Sequence, residues 1–580
     1  VPVVKSMEYK SQNVICQNCR GQFTIEPEDF NFYEKIKVPP PTFCPECRMV
    51  RRMLWRNFRS LFKRVCGMCG KNLISMYPED KTKVVYCTDC WNSDKRNPFL
   101  QEREYDFSKT FFEQIKELVS ESPFFYIYQG GNIIRSDYTN YSLNNKDCYL
   151  SFSIVECENI FYSEIIDKSK NSLDNYAVQK IENCSYNINS DTNYNCHYMI
   201  ESNKCIDSYF LFDCVNCQNC CLSYNLRNQQ YFFKNKKLSK EEYEKEIKNL
   251  FLNSYTGIKK IKEYFNDIVK NKAIHRYAQI FNSTNSTGDY IKNSKNVRNS
   301  FDVQGAENIS YSSRSLMGSK DCYDTTGIAS GELIYESTAT SLNTFKDYFC
   351  YISLGSRECQ YSIICRNCVN CFACVGLTNA QYCIFNKQYS KEEYFERVEK
   401  IKKHMNDMPY VDSKGNVYKY GEFFPPEMTP FAYNLSTAID FLPKTKEEVI
   451  EIGYPWDNKN NTFYNITIKS EDLPNSIEDV KNSILEEIIS CPNKSNQNFR
   501  CSGAYKIMPY ELQFYKDKSL PLPRYCPNCR HFEKLKYRNP IKLYKRSCKK
   551  EGCTNEFETT YAPDRPEIIY CERCYQAEVY

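Results

Sequence analysis

Asp147-Cys148, Asn159-Ile160, Asn171-Ser172, Asn183-Cys184 and Asn195-Cys196 follow one another at twelve-residue intervals, and Tyr162, Tyr186 and Tyr198 keep the same phase. A fixed short period is the signature of a solenoid. Twelve residues accommodate two short strands and two tight turns. Asn and Asp tolerate the left-handed corner conformation and can stack into ladders, while small or apolar side chains point inward. At about 4.8 Å per turn, six turns make a rod of about 30 Å.

The stretch is written twice. Cys214, Cys217 and Cys220, then Leu226, Asn228, Tyr231, Asn235 and Ser239-Lys-Glu-Glu-Tyr243, match Cys365, Cys368, Cys371, Leu377, Asn379, Tyr382, Asn386 and Ser390-Lys-Glu-Glu-Tyr394 at a constant shift of 151 residues. In the second copy the period slips after Asn308, to Asp321 and Leu333, which predicts a less regular solenoid. The interior cysteines read as inward ladders of small hydrophobes. The run Cys365, Cys368, Cys371, Cys374 has a metal or iron–sulfur cluster as its rival reading. Ser239 with Glu242 and Ser390 with Glu393 are capping boxes, and their helices should close each solenoid against exposed strand edges. An amphipathic helix near 110–119, with Phe111, Phe112, Ile115 and Val119 on one face, is expected to cover the opening of the first solenoid. A Pro- and aromatic-rich connector, a Thr445/Glu448 box and a helix over about 477–489 complete the interior.

The two ends repeat a second module. Cys44-Pro45-Glu46-Cys47 with a basic, aromatic run to Cys66 matches Cys526-Pro527-Asn528-Cys529 with a run of equal length to Cys548. Two Cys knuckles brought together offer zinc its four thiolates. The sets are Cys16/Cys19 with Cys44/Cys47, Cys66/Cys69 with Cys87/Cys90, Cys491/Cys501 with Cys526/Cys529, and Cys548/Cys553 with Cys571/Cys574. Up to four structural zinc ions follow, each closed by cysteine with no open position for catalysis. The Cys491 knuckle, with nine intervening residues, is the loosest.

Between the paired sites lie Arg48, Arg51, Arg52, Arg56, Arg59, Lys63 and Arg64, and at the other end Arg530, Lys534, Lys536, Arg538, Lys542, Lys545 and Arg546. Trp55, Phe58, Phe62, Tyr537 and Tyr544 are interleaved with them. Guanidinium groups suit phosphate, and exposed rings stack on unpaired bases. This predicts a non-enzymatic RNA-binding protein, ribosome-associated, with the ribbons as grips and the solenoids as spacers. The competing arrangement packs the rings between ribbons with the basic groups solvated. A protein-interaction scaffold using the solenoid faces is the alternative function. A polysaccharide- or nucleic-acid-cleaving enzyme has the least support, because His197, His275, His404 and His531 form no recognisable pair with a nucleophile.

The 580 residues carry a formal charge of only +5 and 33 cysteines, so the basic residues matter by position rather than total. No apolar run approaches the ~20 residues that cross a bilayer, and no secretory n-region and h-region is read at the start. Reduced, metal-bound thiolates in a cytoplasm are expected; an exported chain with paired sulfurs is the rival. The expected organisation is mainly β and multidomain. Tandem ribbons occupy 1–105, solenoids with capping helices 106–275 and 276–412, the connector 413–490, and tandem ribbons again 491–580.

The Phe-Cys-Pro-Glu-Cys-Arg ribbon, the Ser-Lys-Glu-Glu-Tyr box after a cysteine ladder, and the ending Thr560-Tyr-Ala-Pro-Asp-Arg-Pro-Glu with Tyr570-Cys-Glu-Arg-Cys-Tyr resemble a family of large, cysteine-rich multi-zinc-ribbon proteins. These are frequent in genomes of uncultivated candidate-phyla (Patescibacteria-type) bacteria. The resemblance covers essentially the whole chain. It implies a cytoplasmic bacterial protein and brings no activity with it.

Overall fold

Parallel pairing at an offset of twelve residues organises the middle of the chain. Phe152 lies opposite Glu164, Glu164 opposite Tyr176, His197 opposite Tyr209 and Tyr209 opposite Cys221, and single bridges such as Leu173–Ser185 and Ser185–His197 carry the ladder between them. Every third residue from Tyr141 to Tyr231 has a positive φ. Each twelve-residue turn therefore has four corners, not the two tight turns expected. Many corners are Tyr, Leu, Ile or Lys, for which the left-handed conformation costs about 1–2 kcal/mol each. Backbone hydrogen bonds offset that cost, because a corner N–H donates to the carbonyl thirteen residues back: Asp147 to Ile134, Lys168 to Val155, Asp174 to Phe161. Three-residue sides leave a narrow interior, which explains the Ser, Cys and Asn content. Inward Asn145, Asn175 and Asn193 each accept from the amide twelve residues on and donate to the carbonyl nine residues on.

The second ladder is less regular. Its offset is eleven at Ile280–Ile291 and thirteen at Glu307–Lys320 and Ser313–Thr326, against twelve at Tyr351–Ile363 and Val369–Gln381. Its far end is filled by Cys350, Cys359, Cys365, Cys368, Cys371, Cys374, Cys383, Leu377 and Ala380. These thiols donate to backbone carbonyls two or nine residues on either side, as Cys371 does to Val369 and Ala380.

The computed structural model describes residues 9–81, 84–458, 464–494 and 500–580; it is mainly β, with cysteine clusters at both ends. Two units divide it: Val1–Tyr126 with Ala278–Asp457, and Ile127–Tyr277 with Asn458–Tyr580. The N-terminal ribbons thus share a unit with the second ladder, and the C-terminal ribbons share one with the first. Helix Phe111–Glu121 follows the same exchange. It does not cover the first ladder, as its sequence position suggested. Phe111 instead packs on Tyr361, Phe372 and Phe385 of the second, with ring centroids 5.0, 5.6 and 5.8 Å away. Helix Tyr255–Asn271 buries Ile258, Ile261, Phe265 and Ile268, with Phe265 against Phe210 of the first ladder. Strand Val85–Tyr86 pairs with Phe124–Phe125, and strand Ile568–Tyr570 pairs with Ile274–Arg276. In each unit a ribbon strand thus pairs in parallel with a short strand outside the ladder.

The boxes at Ser239, Ser390 and Thr445 all form, opening helices Lys240–Asn249, Lys391–Asp407 and Lys446–Glu451. The helix expected over 477–489 is replaced by short 3-10 turns at Ile477–Asp479 and Asn482–Glu486. Its apolar positions Ile477, Val480 and Ile484 are nevertheless buried.

Candidate metal centres

Each of the four cysteine sets is built the same way. A short antiparallel hairpin carries the first knuckle: Gln12–Ile15 with Gln22–Ile25, Phe62–Val65 with Asn72–Ser75, Ile489–Ser490 with Ala504–Tyr505, and Tyr544–Ser547 with Glu556–Thr559. The third cysteine caps a helix, Cys44 before Pro45–Met53, Cys87 before Thr88–Trp91, Cys526 before Pro527–Leu535 and Cys571 before Glu572–Val579. Pro45 and Pro527 occupy the first helical position, where a missing N–H costs nothing. The fourth cysteine lies one turn further in.

All four sets come together as the spacing predicted, the loose Cys491 set included. Sulfur–sulfur distances are 3.7 Å for Cys19–Cys44, 3.8 Å for Cys69–Cys87 and Cys491–Cys529, and 3.9 Å for Cys501–Cys526 and Cys553–Cys571. A tetrahedral ion with bonds of about 2.3 Å to sulfur sets its ligands roughly 3.8 Å apart. A disulfide needs about 2.05 Å, and these cysteines are unbonded to one another.

Within each set at least one sulfur is favoured as a thiolate, while neighbouring sulfurs push up Cys47 and Cys529, and desolvation with neighbouring sulfurs pushes up Cys90 and Cys574. In every set the amide of the third cysteine donates to the sulfur of the first: Cys44 to Cys16 at 3.2 Å, Cys87 to Cys66 at 3.3 Å, Cys526 to Cys491 at 3.4 Å and Cys571 to Cys548 at 3.3 Å. Burial alone would push the Cys66 thiol up, but the amides of Cys87, Cys69 and Met68 outweigh it and bring it down to about 6. Hydrogen bonds from Cys44 and Cys47 hold Cys16 well below the ordinary thiol range. For Cys553 the amide of Asn555 is the main influence, lowering it to about 7. Donor type, spacing and amide support all fit a four-thiolate metal site.

The basic residues between the sites are not the exposed grips that the sequence suggested. Arg48, Arg51, Arg52, Arg56, Arg59 and Arg64 are buried, as are Arg530, Lys534 and Arg538; Arg546 is half-buried, and Lys63, Lys536, Lys542 and Lys545 stand in solvent. Helix Pro45–Met53 lays its basic face on the second ladder. Arg48 reaches Asp324 at 2.9 Å, Arg52 reaches Asp324 at 3.3 Å and Glu336 at 3.5 Å, and Arg51 reaches Glu336 at 3.4 Å and Glu422 at 3.0 Å. Arg56 donates to the Thr326 carbonyl and Arg64 to those of Tyr77 and Pro78. In the other unit Arg530 meets Asp174 at 2.8 Å and Glu511 at 3.1 Å, Lys534 meets Asp174 at 3.1 Å, and Arg546 donates to the Ala562 carbonyl. Desolvation forces this matching, because a buried cation without an anion would cost several kcal/mol.

The acids that complete these clasps were missed. Asp29 and Glu511 occupy the same place in the duplicated ribbons, and each accepts from a ladder tyrosine, Tyr311 and Tyr162, at 2.9 Å. Asp174 and Asp324 play the same part in the two ladders, Asp174 meeting Arg530 and Lys534 and Asp324 meeting Arg48 and Arg52. The ribbon alignment carried the signal by setting Asp29 against Glu511, whereas the slip of period after Asn308 hid the ladder pair.

Comparison with known proteins adds no assignment. No protein-family model matches the chain, and no curated protein does. Among solved structures, a chain from Desulfovibrio desulfuricans G20 described as an acetyltransferase overlaps 43% of this chain and 66% of its own length, at 9% identity and a TM-score of 0.10. That level of likeness carries no argument about fold or function.

Proposed function

We propose that this protein is a zinc-stapled scaffold in which two short-period solenoids present their outer faces to a protein partner, and that it is not an enzyme. The observation that carries this reading is the closure of both basic helices onto acids of the protein itself: three arginines on Asp324, Glu336 and Glu422, and Arg530 with Lys534 on Asp174 and Glu511. Charge held in the interior cannot neutralise phosphate, so the RNA and ribosome reading is left with Lys63, Lys536, Lys542 and Lys545. The twelve-residue offset and recurrent corners support the solenoid reading.

The outer faces suit protein better than a polyanion. One line along the first ladder runs Lys146, Glu158, Lys170, Glu182, alternating in sign, and continues through Tyr194 and Ile206, which are 48% and 42% exposed. Alternating charge repels a phosphate backbone as often as it attracts one, while the exposed Tyr–Ile pair offers apolar area for a contact. The test is affinity purification from the native cell with and without nuclease. A defined protein that survives nuclease, and is lost from a Tyr194→Asp/Ile206→Asp variant of unchanged zinc content, is the expected result. RNA retained at low salt and lost on nuclease treatment, with no protein partner, would reverse the assignment.

A further inference from the structure

Lys534 and Asp174 meet in the buried interior of the second unit. Nζ of Lys534 is 3.1 Å from Oδ1 of Asp174, and the side chains are 1% and 0% exposed. Nη1 of Arg530 holds Oδ2 of the same carboxylate at 2.8 Å and reaches Glu511 at 3.1 Å. Glu511 is itself buried and accepts from the Tyr162 hydroxyl at 2.9 Å. The rings of Tyr162 and Tyr186 lie beside Arg530 and Lys534. An amine, a carboxyl group, a second carboxyl group and a guanidinium thus share one buried, aromatic-walled site.

We propose that Lys534 and Asp174 condense there into an intramolecular isopeptide bond. In the reacting pair a proton passes from Nζ to Oδ1, which leaves a nucleophilic amine and a carboxyl oxygen that can depart as water. Nζ then forms a bond to Cγ of Asp174, and the negative charge that develops on Oδ2 falls on the Arg530 guanidinium. Glu511 takes the proton released by nitrogen and returns it to Oδ1, which leaves as water. One C–N bond forms, one C–O bond breaks, one water is released, and Arg530 and Glu511 end unchanged. No oxidant or co-reactant enters. Burial pushes the Glu511 carboxyl above its ordinary range, with Arg530 opposing, which suits a group that must both take and give a proton. Holding amine and carboxyl in contact supplies the effective concentration that such a condensation lacks in water.

The other unit provides an internal control. Arg52 stands where Lys534 does, against Asp324 at 3.3 Å, and a guanidinium stays protonated and does not condense. One cross-link per chain is therefore expected, joining residues 174 and 534.

The experiment is the intact mass of the full-length, zinc-loaded protein after reduction, chelation and denaturation, followed by peptide mapping. The expected mass is one water below that of the sequence, with a branched peptide joining Lys534 to Asp174. Lys534→Arg should restore the full sequence mass while zinc content stays at the wild-type level, since the Arg–Asp pair is already accommodated in the other unit. Glu511→Gln should leave a fraction uncross-linked. A wild-type chain at full sequence mass, with Lys534 open to amine reagents once unfolded, would overturn the proposal, as would a water loss that maps elsewhere. The wild-type mass decides the matter even if a variant fails to fold.

Discussion

The two ribbon-to-ladder units solve one problem with different residues. In the first, three arginines face three acids, Asp324, Glu336 and Glu422; in the second, Arg530 and Lys534 face Asp174 and Glu511. Charge balances in each, and in each a tyrosine of the ladder bonds an acid of the ribbon. Matched charge, rather than a particular residue set, is what the joint conserves between its copies. The interiors diverge further. The first ladder places Asn at inward positions where the second has Asp347, fully buried, accepting from the Cys359 amide at 3.0 Å and from the Ser353 hydroxyl.

The largest expected effect comes from removing a zinc ligand. Each site can contribute on the order of 10 kcal/mol to its ribbon. Cys47→Ser should release one ion and unfold the first N-terminal ribbon, and Cys529→Ser should do the same at the other end. Zinc stoichiometry with hydrogen exchange resolves the two, and equal local losses are expected. A loss confined to one end would show that the modules are not equivalent.

Next come the clasps. Asp324→Ala and Glu511→Ala each leave a buried cation short of an anion, a change that costs about 3–5 kcal/mol. Denaturant unfolding should place both variants in that range.

Asp347 separates the two ladders by pH. Burial raises its carboxyl to about 7, above the roughly 3.9 of an unfolded aspartate. Stability contributed by the protonated form is full below about pH 4 and is lost as pH rises through 7, a change of about 4 kcal/mol. Asp347→Asn should remove that slope and stabilise the protein at neutral pH, because an amide can both accept from the Cys359 amide and donate, as Asn145, Asn175 and Asn193 do. An unchanged slope in urea melts from pH 4 to 8 would dismiss this account. Smallest is the helix cap. Ser239→Ala and Ser390→Ala should each cost about 1 kcal/mol, measured as a shift in the same melts.

The four cysteine sets were legible because their members lie within some forty residues of one another, and tetrahedral coordination leaves few ways to combine knuckles. The twelve-residue period was legible too, since Asn at 159, 171, 183 and 195 marks one corner of four. The other corners carry Leu150, Tyr162 or Ile165, which give no left-handed signal, so the turns were undercounted. What the sequence concealed was pairing across distance. Arg48 and Asp324 are 276 residues apart, and a basic run read without its acids looks like a surface made for phosphate. Helix Phe111–Glu121 was misplaced for a similar reason: it precedes one ladder in the chain and packs on the other.

The account rests on metal holding the ribbons shut, and X-ray absorption at the zinc edge of freshly isolated, unreduced protein, combined with elemental analysis, tests it most directly. Four zinc ions per chain, each with four sulfur neighbours at about 2.3 Å, are predicted. Fewer than two ions per chain, with the terminal sulfurs oxidised in pairs, would contradict it.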